Sequence, residues 1–403
     1  MKRILVSHPH AAAFATATAQ SLERAGLLGA YVTGASLAGS HGSRLAAYVE
    51  RLQPRVRNRI IADIPKERLW SKWAPEAISR AAALLPGMSK LGKMPYDPMF
   101  VLHDSAVAIT PWPSSVDAVY AYEDASLFTF RVATRKGLGR LWDLPVPHWR
   151  SLEALWLSEG ARWPGAMGKA PPIEAHWKTR RKDAELALAD VIFVASAHTR
   201  ASLEAVGCAK PIVVAPYGFP VEYFREKART QEGPFAVLSV GTHDLRKGTP
   251  YLLEAWRRAE IRDAKLRLIG PMRLTKTFLT RYAGLFDHIS HVPRSHLQAE
   301  YQSADVLAFP TLGDGFGLVM QEAMCCGTPV VTTRSGGGPE CIRHGEEGWI
   351  LRERDIEALT DFFRWAVANR ERVRDAGRAA RRRAEGWTGS DAGLLISRSI
   401  SCM

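Results

Sequence analysis

The 403-residue chain is poor in cysteine and has no long apolar run. Its five cysteines (Cys208, Cys325, Cys326, Cys341 and Cys402) form no C-x-x-C pair and are odd in number. That argues against a disulfide framework or a structural zinc site and suits a reducing, cytoplasmic compartment. No stretch reaches the roughly 18 apolar residues of a transmembrane helix. Behind the basic start, Ile4–Val6 is too short for a signal peptide and reads as a first β-strand. The sequence has no H-E-x-x-H and no G-x-S-x-G, which sets aside a zinc hydrolase and a hydrolase elbow. Gly315-Phe316-Gly317 lacks the third glycine of a dinucleotide fingerprint. One charge sign is in short supply: 41 acidic against 54 basic side chains leave a net charge of +13. Such an excess favours an anionic partner, whether nucleic acid, lipid surface or phosphorylated substrate.

What is present is an even alternation of short apolar runs and longer amphipathic stretches. Strands are expected at Ile4–Val6, Ala118–Tyr122, Val191–Val194, Ile212–Ala215, Phe235–Val240, Leu266–Ile269, Val306–Phe309 and Val330–Thr333. Strands separated by helix-length connections imply parallel sheets built from βαβ units, hence the α/β class. Several of these runs are apolar without alternation, as in sheets covered by helices on both faces. The length exceeds what one core usually serves. Pro216, Gly218 and Pro220 mark a linker across residues 216–233, and two doubly wound, Rossmann-like domains follow, 1–216 and 217–386.

Residues from about 51 to 172 are less regular. Trp142, Trp149, Trp156 and Trp163 recur every seven residues, but Pro145, Pro147 and Pro164 interrupt a continuous helix, so the spacing reads as accidental. Tryptophan usually belongs to cores. Trp70, Trp73, Trp142, Trp149, Trp156 and Trp163 nevertheless share this region with Arg68, Lys72, Arg80, Lys90, Lys93, Arg135, Lys136 and Arg140. Aromatic and basic residues together suit the interface of an anionic bilayer, and peripheral membrane contact is an expectation.

The most informative stretch is ADVLAFPTLGDGFGLVMQEAMCCGTPVVTT. A strand runs into a turn with Gly313, Gly315 and Gly317, and a helix is expected to begin near Phe316. A glycine turn opening onto a helix N-terminus is a ready anion site. Asp314 in the turn and Glu322 eight residues later can face one cleft; alternatively Asp314 caps the helix and Glu322 is a surface charge. The string resembles the E-x7-E motif of retaining glycosyltransferases of the GT-B fold (glycosyl transferases group 1), through Gly315-Phe316-Gly317-Leu318, Glu322-Ala323-Met324, Gly327 and Pro329-Val330-Val331. The resemblance implies that Glu322 binds the ribose hydroxyls of a nucleotide-sugar donor and that Asp314 lies beside the transferred sugar. Aspartate stands where the family usually has glutamate, one methylene longer.

Other segments follow the same resemblance. FAVLSVGTHDLRKGTPYLLEAW is similar to the strand–loop–helix that opens the donor domain, which implies that Arg246 and Lys247 meet the donor diphosphate and that Gly241 ends the strand. Thr242 stands where many relatives have arginine. KLRLIGP and HISHVPRSHLQAEYQSAD are similar to strand ends that frame the nucleotide base, around Gly270, Pro271, Val292 and Pro293. SGGGPE (Ser335–Glu340) reads as a plain loop or as a backbone cradle. LWDLPVPHWRS is similar to the loop that carries a cleft-facing histidine, implying His148, although its prolines also suit a simple turn. His8 and His10 stand where relatives often have a glycine-rich loop. Lys178, Arg181 and Lys182 read as the solvated face of a helix.

The implied fold is GT-B, two Rossmann-like domains with the active site between them, and residues from about 387 to 403 are expected to return to the first domain. No D-x-D occurs, so the metal signature of the other major glycosyltransferase fold is missing. The expected function is retaining, metal-independent transfer of a sugar from a nucleotide-diphosphate sugar, UDP- or GDP-linked, to a glycan or lipid-linked acceptor. The expected catalytic residues are Asp314, Lys247, Arg246 and His148. Donor contacts are expected from Glu322, Gly241, Gly315, Phe316, Gly317, Leu318, Gly270, Pro271, Val292 and Pro293. No separate cofactor, metal or nucleic-acid partner is expected, and closure of the domains over the donor is. A GT-B epimerase or hydrolase is the enzymatic alternative; a basic nucleic-acid-binding protein is the alternative from another class, although no such module is apparent.

Overall fold

The computed structural model describes residues 2–38, 59–83, 96–168, 172–218, 221, 224–226, 233–387, 395–396 and 398–399. Much of the expected linker, and Lys90 and Lys93, lie outside the described residues. The first domain contributes β1 (Arg3–His8), β2 (Leu28–Thr33), β3 (Leu37–Ala38), β4 (Ile60–Ile61), β5 (Leu69–Ser71), β6 (Val116–Tyr122), β7 (Gly139–Leu144), β8 (Val191–Val194) and β9 (Ile212–Val214). Seven of these form one parallel sheet in the order β5-β2-β1-β6-β7-β8-β9, and β3 pairs with β4 alone. The second domain holds β10 (Phe235–Val240), β11 (Ala264–Ile269), β12 (Asp287–Ile289), β13 (Val306–Phe309), β14 (Val330–Thr333) and β15 (Gly348–Leu351). Its parallel sheet runs β12-β11-β10-β13-β14-β15. Both chain orders reverse beside the first strand, which opens a crevice at the carboxyl ends of the strands.

The two-residue period of a strand explains the layering. Along β10, Phe235 and Val237 join one buried cluster, and Leu238 and Val240 the cluster on the opposite face. In the first sheet, Ile4 and Val6 face one way and Leu5 the other. Successive apolar residues are thus divided between two helix layers, which is why these strands read as continuous apolar runs. Leu395 and Ile396 pack in the cluster of Ile4, Val6 and Tyr31 on the first domain.

The prolines do separate the tryptophans: Trp142 lies on β7, and the helix Trp149–Arg162 starts only after Pro147, with Trp163 as its C-cap. Trp156 and Trp163 pack on the second domain's core, whereas Trp149 Nε1 donates to Asp183 of the first. One expectation fails. Lys178, Arg181 and Lys182 are no solvated face. Arg181 and Lys182 are buried, and Lys178 is largely so. Arg181 meets the buried Asp104 and, at 3.2 Å, Glu185, while Lys182 lies 2.8 Å from Glu174 and 3.2 Å from Glu123. Glu185 and Glu174 are close in sequence, but Asp104 and Glu123 come from distant elements, so the helix alone reads as exposed.

Candidate active site between the domains

The second domain's site is built on strand ends. Gly241 ends β10 and its amide donates to Ile269 O at 2.9 Å; Gly270 ends β11 and donates to Ile289 O at 2.9 Å. Pro271 O accepts from His243 N at 2.8 Å, and Pro293 caps the helix Arg294–Ser303 that follows β12. Val292 packs on the core beside it. The four positions expected around the base therefore lie along the carboxyl edges of adjacent strands.

After β13 the chain makes the glycine turn. The helix begins at Leu318, and not at Phe316, because its N-cap Gly317 holds a left-handed φ of 94°. Phe316 remains in the turn with its ring buried, 5.6 Å from the ring of Tyr217. The Lys247 ammonium bonds the Asp314 carboxylate and lies 4.8 Å from the centre of the Phe309 ring. Arg246 donates to Gly313 O at 2.7 Å and stands 3.7 Å from Asp314. Burial opposes ionisation of Asp314, but Lys247 and Arg246 outweigh it and hold the carboxyl below the usual carboxylate range. Two cations and a helix N-terminus around one turn are the countercharges that a diphosphate needs.

Glu322 sits one turn into that helix, 8% exposed. Tyr301 Oη donates to its Oε2 at 2.8 Å, and the Arg294 guanidinium is 3.5 Å from its Oε1. Burial raises its carboxyl, against Arg294 and Tyr301. A carboxylate so placed retains acceptor capacity for a pair of hydroxyls.

The first domain meets this turn directly. Ser196 Oγ donates to Gly315 O at 2.6 Å, and Ala197 N donates to Glu340 Oε1 at 2.7 Å. A Cβ on Gly315 would stand 1.7 Å from Pro145 O, so only glycine lets the two backbones approach this closely. His148, three residues on, is buried as the N-cap of the helix Trp149–Arg162: its amide donates to Ser202 Oγ at 2.8 Å and its Nδ1 accepts from Arg150 N at 3.3 Å. Burial, aided by Arg150, lowers its imidazole to about 4. Its recorded partners all belong to the first domain, and the structure joins Asp314, Lys247 and Arg246 without it. His198 is the histidine that feels Asp314 and Glu353; burial lowers it, and those two carboxylates oppose the shift. Sequence reasoning missed His198, Tyr301 and Arg294. Tyr301 and Arg294 reach the site from the helix Arg294–Ser303 and His198 from a helix of the first domain, so no pattern around Asp314 or Glu322 marks them. His8 and His103 are also buried, both pushed down to about 3 by burial; His8 lies at the end of β1 among the rings of Phe14, Phe100 and Tyr122, and His103 Nε2 stands 3.2 Å from Ser7 Oγ.

The fold is GT-B. Along its whole length the chain resembles sucrose-phosphate synthase from Thermosynechococcus elongatus (TM-score 0.65, 17% identity, covering 100% of this chain and 98% of that one). It likewise resembles Anabaena HepE in complex with UDP-glucose (TM-score 0.63, 13% identity, 100% of both chains). Residues 222–383, most of the second domain, match the family described as glycosyl transferases group 1. The chain is 34% identical over 192 residues to D-inositol 3-phosphate glycosyltransferase from Pseudarthrobacter chlorophenolicus, which covers 43% of this chain and 46% of that protein. It is 31% identical over 171 residues to the GDP-mannose-dependent alpha-(1-6)-phosphatidylinositol monomannoside mannosyltransferase of Mycolicibacterium smegmatis, covering 39% and 45%. The matched part is thus about half the length of these relatives.

Proposed function

We propose that the protein is a retaining glycosyltransferase that moves a hexose from a UDP- or GDP-linked donor to a glycan or lipid-linked acceptor. The observation that carries this reading is the convergence of Lys247, Arg246 and Asp314 on the glycine turn, one helical turn from Glu322. Glu322 accepts the ribose hydroxyls, Gly270, Pro271, Val292 and Pro293 surround the base, and Gly241 ends β10 ahead of the diphosphate-binding Arg246 and Lys247. Breaking the anomeric bond moves negative charge onto the diphosphate. Arg246, Lys247 and the amides opening the helix at Leu318 stabilise that charge from fixed positions, which is where preorganised electrostatics lowers a barrier. The acceptor hydroxyl attacks from the face the diphosphate leaves, and the departing phosphate takes its proton. Two relatives are named for inositol phosphate and phosphatidylinositol monomannoside, which supports an acceptor of the polyol or lipid-linked kind.

Arg246 and Lys247 supply the countercharge themselves, so donor binding is expected to be independent of divalent metal. Calorimetric titration of UDP and GDP with and without EDTA tests this, and loss of binding in EDTA defeats it. Peripheral contact with an anionic membrane belongs to the same reading. Among the described residues no helix is long and apolar enough to cross a membrane. Trp142 and Trp156 are buried, whereas Trp73 is 66% exposed, and Ile78 on its helix and Ile109 on another first-domain helix are exposed as well.

A further inference from the structure

The helix Trp149–Arg162 begins in one domain and ends in the other. His148 anchors its start to Ser202 of the first domain. One to two turns on, it meets the glycine turn of the second: a Cβ on Gly313 would lie 2.8 Å from Leu155 Cδ2 and 3.6 Å from Leu152 Cδ2. Trp156 and Ala166 are members of the second domain's core cluster, with Leu252, Leu268 and Phe278. Between them Glu159 is fully buried, accepting from Tyr251 Oη and Arg354 Nε, each at 2.6 Å and both from the second domain. Trp163 meets the rings of Tyr251 and Phe278 edge-on, and Thr275 bonds Ala166 O at 2.9 Å and Gly165 O at 2.7 Å. A carboxylate in a dry interior needs partners of its own. The ones Glu159 has lie wholly across the domain boundary, so separating the domains would strand it.

We propose that residues 149–168 form a strut that fixes the two domains at one spacing, with Glu159 as the positioning residue that holds the Gly313–Asp314 turn against the first domain. The role in transfer rests on the glycosyltransferase reading above; the strut itself does not. Where the resemblance implies closure of open domains over the donor, a strut of this kind ties the two sides of the cleft together. Because Leu155 touches the turn that carries Asp314, freeing the strut displaces the transferring end of the site and spares the Glu322 end.

Calorimetric unfolding and small-angle scattering of the full chain test the strut without any ligand. The wild-type chain is expected to unfold in one cooperative transition. Glu159→Ala is expected to unfold in two, the first lower by roughly 5 °C or more, with a larger radius of gyration. Tyr251→Phe, which removes a single hydroxyl from Glu159, is expected to lower the midpoint by a smaller step, and serves if Glu159→Ala does not fold. Two wild-type transitions, or both variants within 1 °C (roughly the size of a trivial effect) and unchanged in radius, would overturn the proposal. In a transfer assay the variants are expected to lose kcat by about tenfold, with the Kd for UDP or GDP unchanged. Loss of kcat and nucleotide affinity together would mark mere damage to the donor domain and overturn the positioning role. If the ligand-free results hold while the wild type transfers no sugar, the strut stands and the functional reading falls.

Discussion

Two clusters of buried charge, one in each domain, are completed in opposite ways. In the first, every member of the cluster is met from within the domain. Asp104 accepts from Phe128 N at 2.8 Å and Thr129 N at 2.9 Å as well as from Arg181, and Glu185 accepts from Asp124 N, Ser126 N and Leu127 N at 2.8–3.2 Å. In the second, Glu322 has one hydroxyl and a guanidinium at 3.5 Å, outside good hydrogen-bond range, and Arg246 and Lys247 crowd one short carboxylate. Charge completed inside a domain holds the fold; charge left with spare capacity at a crevice is suited to a ligand.

The comparison breaks first at Arg181. Arg181→Met should cost about 3–5 kcal/mol in urea unfolding, since it leaves Asp104 and Glu185 buried without their cation. Arg246→Met, by contrast, should leave the chain folded and weaken nucleotide binding in calorimetry. Asp143 gives the next effect. Its carboxyl is buried under Tyr120 and Tyr217 and is pushed up to about 7 from 3.8. The folded state keeps a proton that the unfolded chain releases above about pH 4, so this group's contribution is full below that pH and is lost as pH rises through 7. Unfolding free energies between pH 4.5 and 7.5 (roughly the window of the shift) should fall with pH in the wild type and flatten in Asp143→Asn. An unchanged slope in the variant would assign the dependence elsewhere.

Within the donor domain, Glu322→Ala should weaken nucleotide binding by about 1.5–3 kcal/mol, the value of a charge-assisted hydrogen bond. Asp314→Ala should lower turnover by tenfold or more, about 1.4 kcal/mol of barrier, with nucleotide affinity nearly unchanged. Equal losses of affinity in both variants would erase the division of roles. The smallest effect concerns the first domain's surface: the chain should co-sediment with anionic vesicles at low salt and be released at high salt, and Trp73→Ala should reduce the bound fraction. No pelleting at low salt would remove membrane contact from the reading.

The second domain was the more legible in sequence, for a physical reason. Its strands are buried on both faces, so Phe235–Val240, Val306–Phe309 and Val330–Thr333 stand out as β-rich runs without strict alternation, with the bounds the structure gives them. Asp314 and Glu322 share a turn and a helix, so spacing alone brings them close. The first domain hides its edge: β5 is three residues long and incompletely buried, and β2 begins with Leu-Gly-Ala. Glu159 was illegible because its partners lie 92 and 195 residues away. Arg181 and Lys182 were misread for the same reason. A local pattern reports which face of a helix is apolar, but not which distant acid will cover a cation.

The 1.7 Å clearance between a Cβ at Gly315 and Pro145 O also makes that position a wedge point. A single methyl there has no flexible side chain to push aside, only backbone on both sides, so the domains must part or the turn must bend. Gly315→Ala would therefore act as a chemical doorstop, separating the capture of a nucleotide from whatever follows it. It also couples the fates of two loops more than 150 residues apart (roughly the length of a whole domain). A drift of the Pro145 backbone toward the turn has no side chain to trim at 315, and the adjustment has to come from elsewhere in the fold.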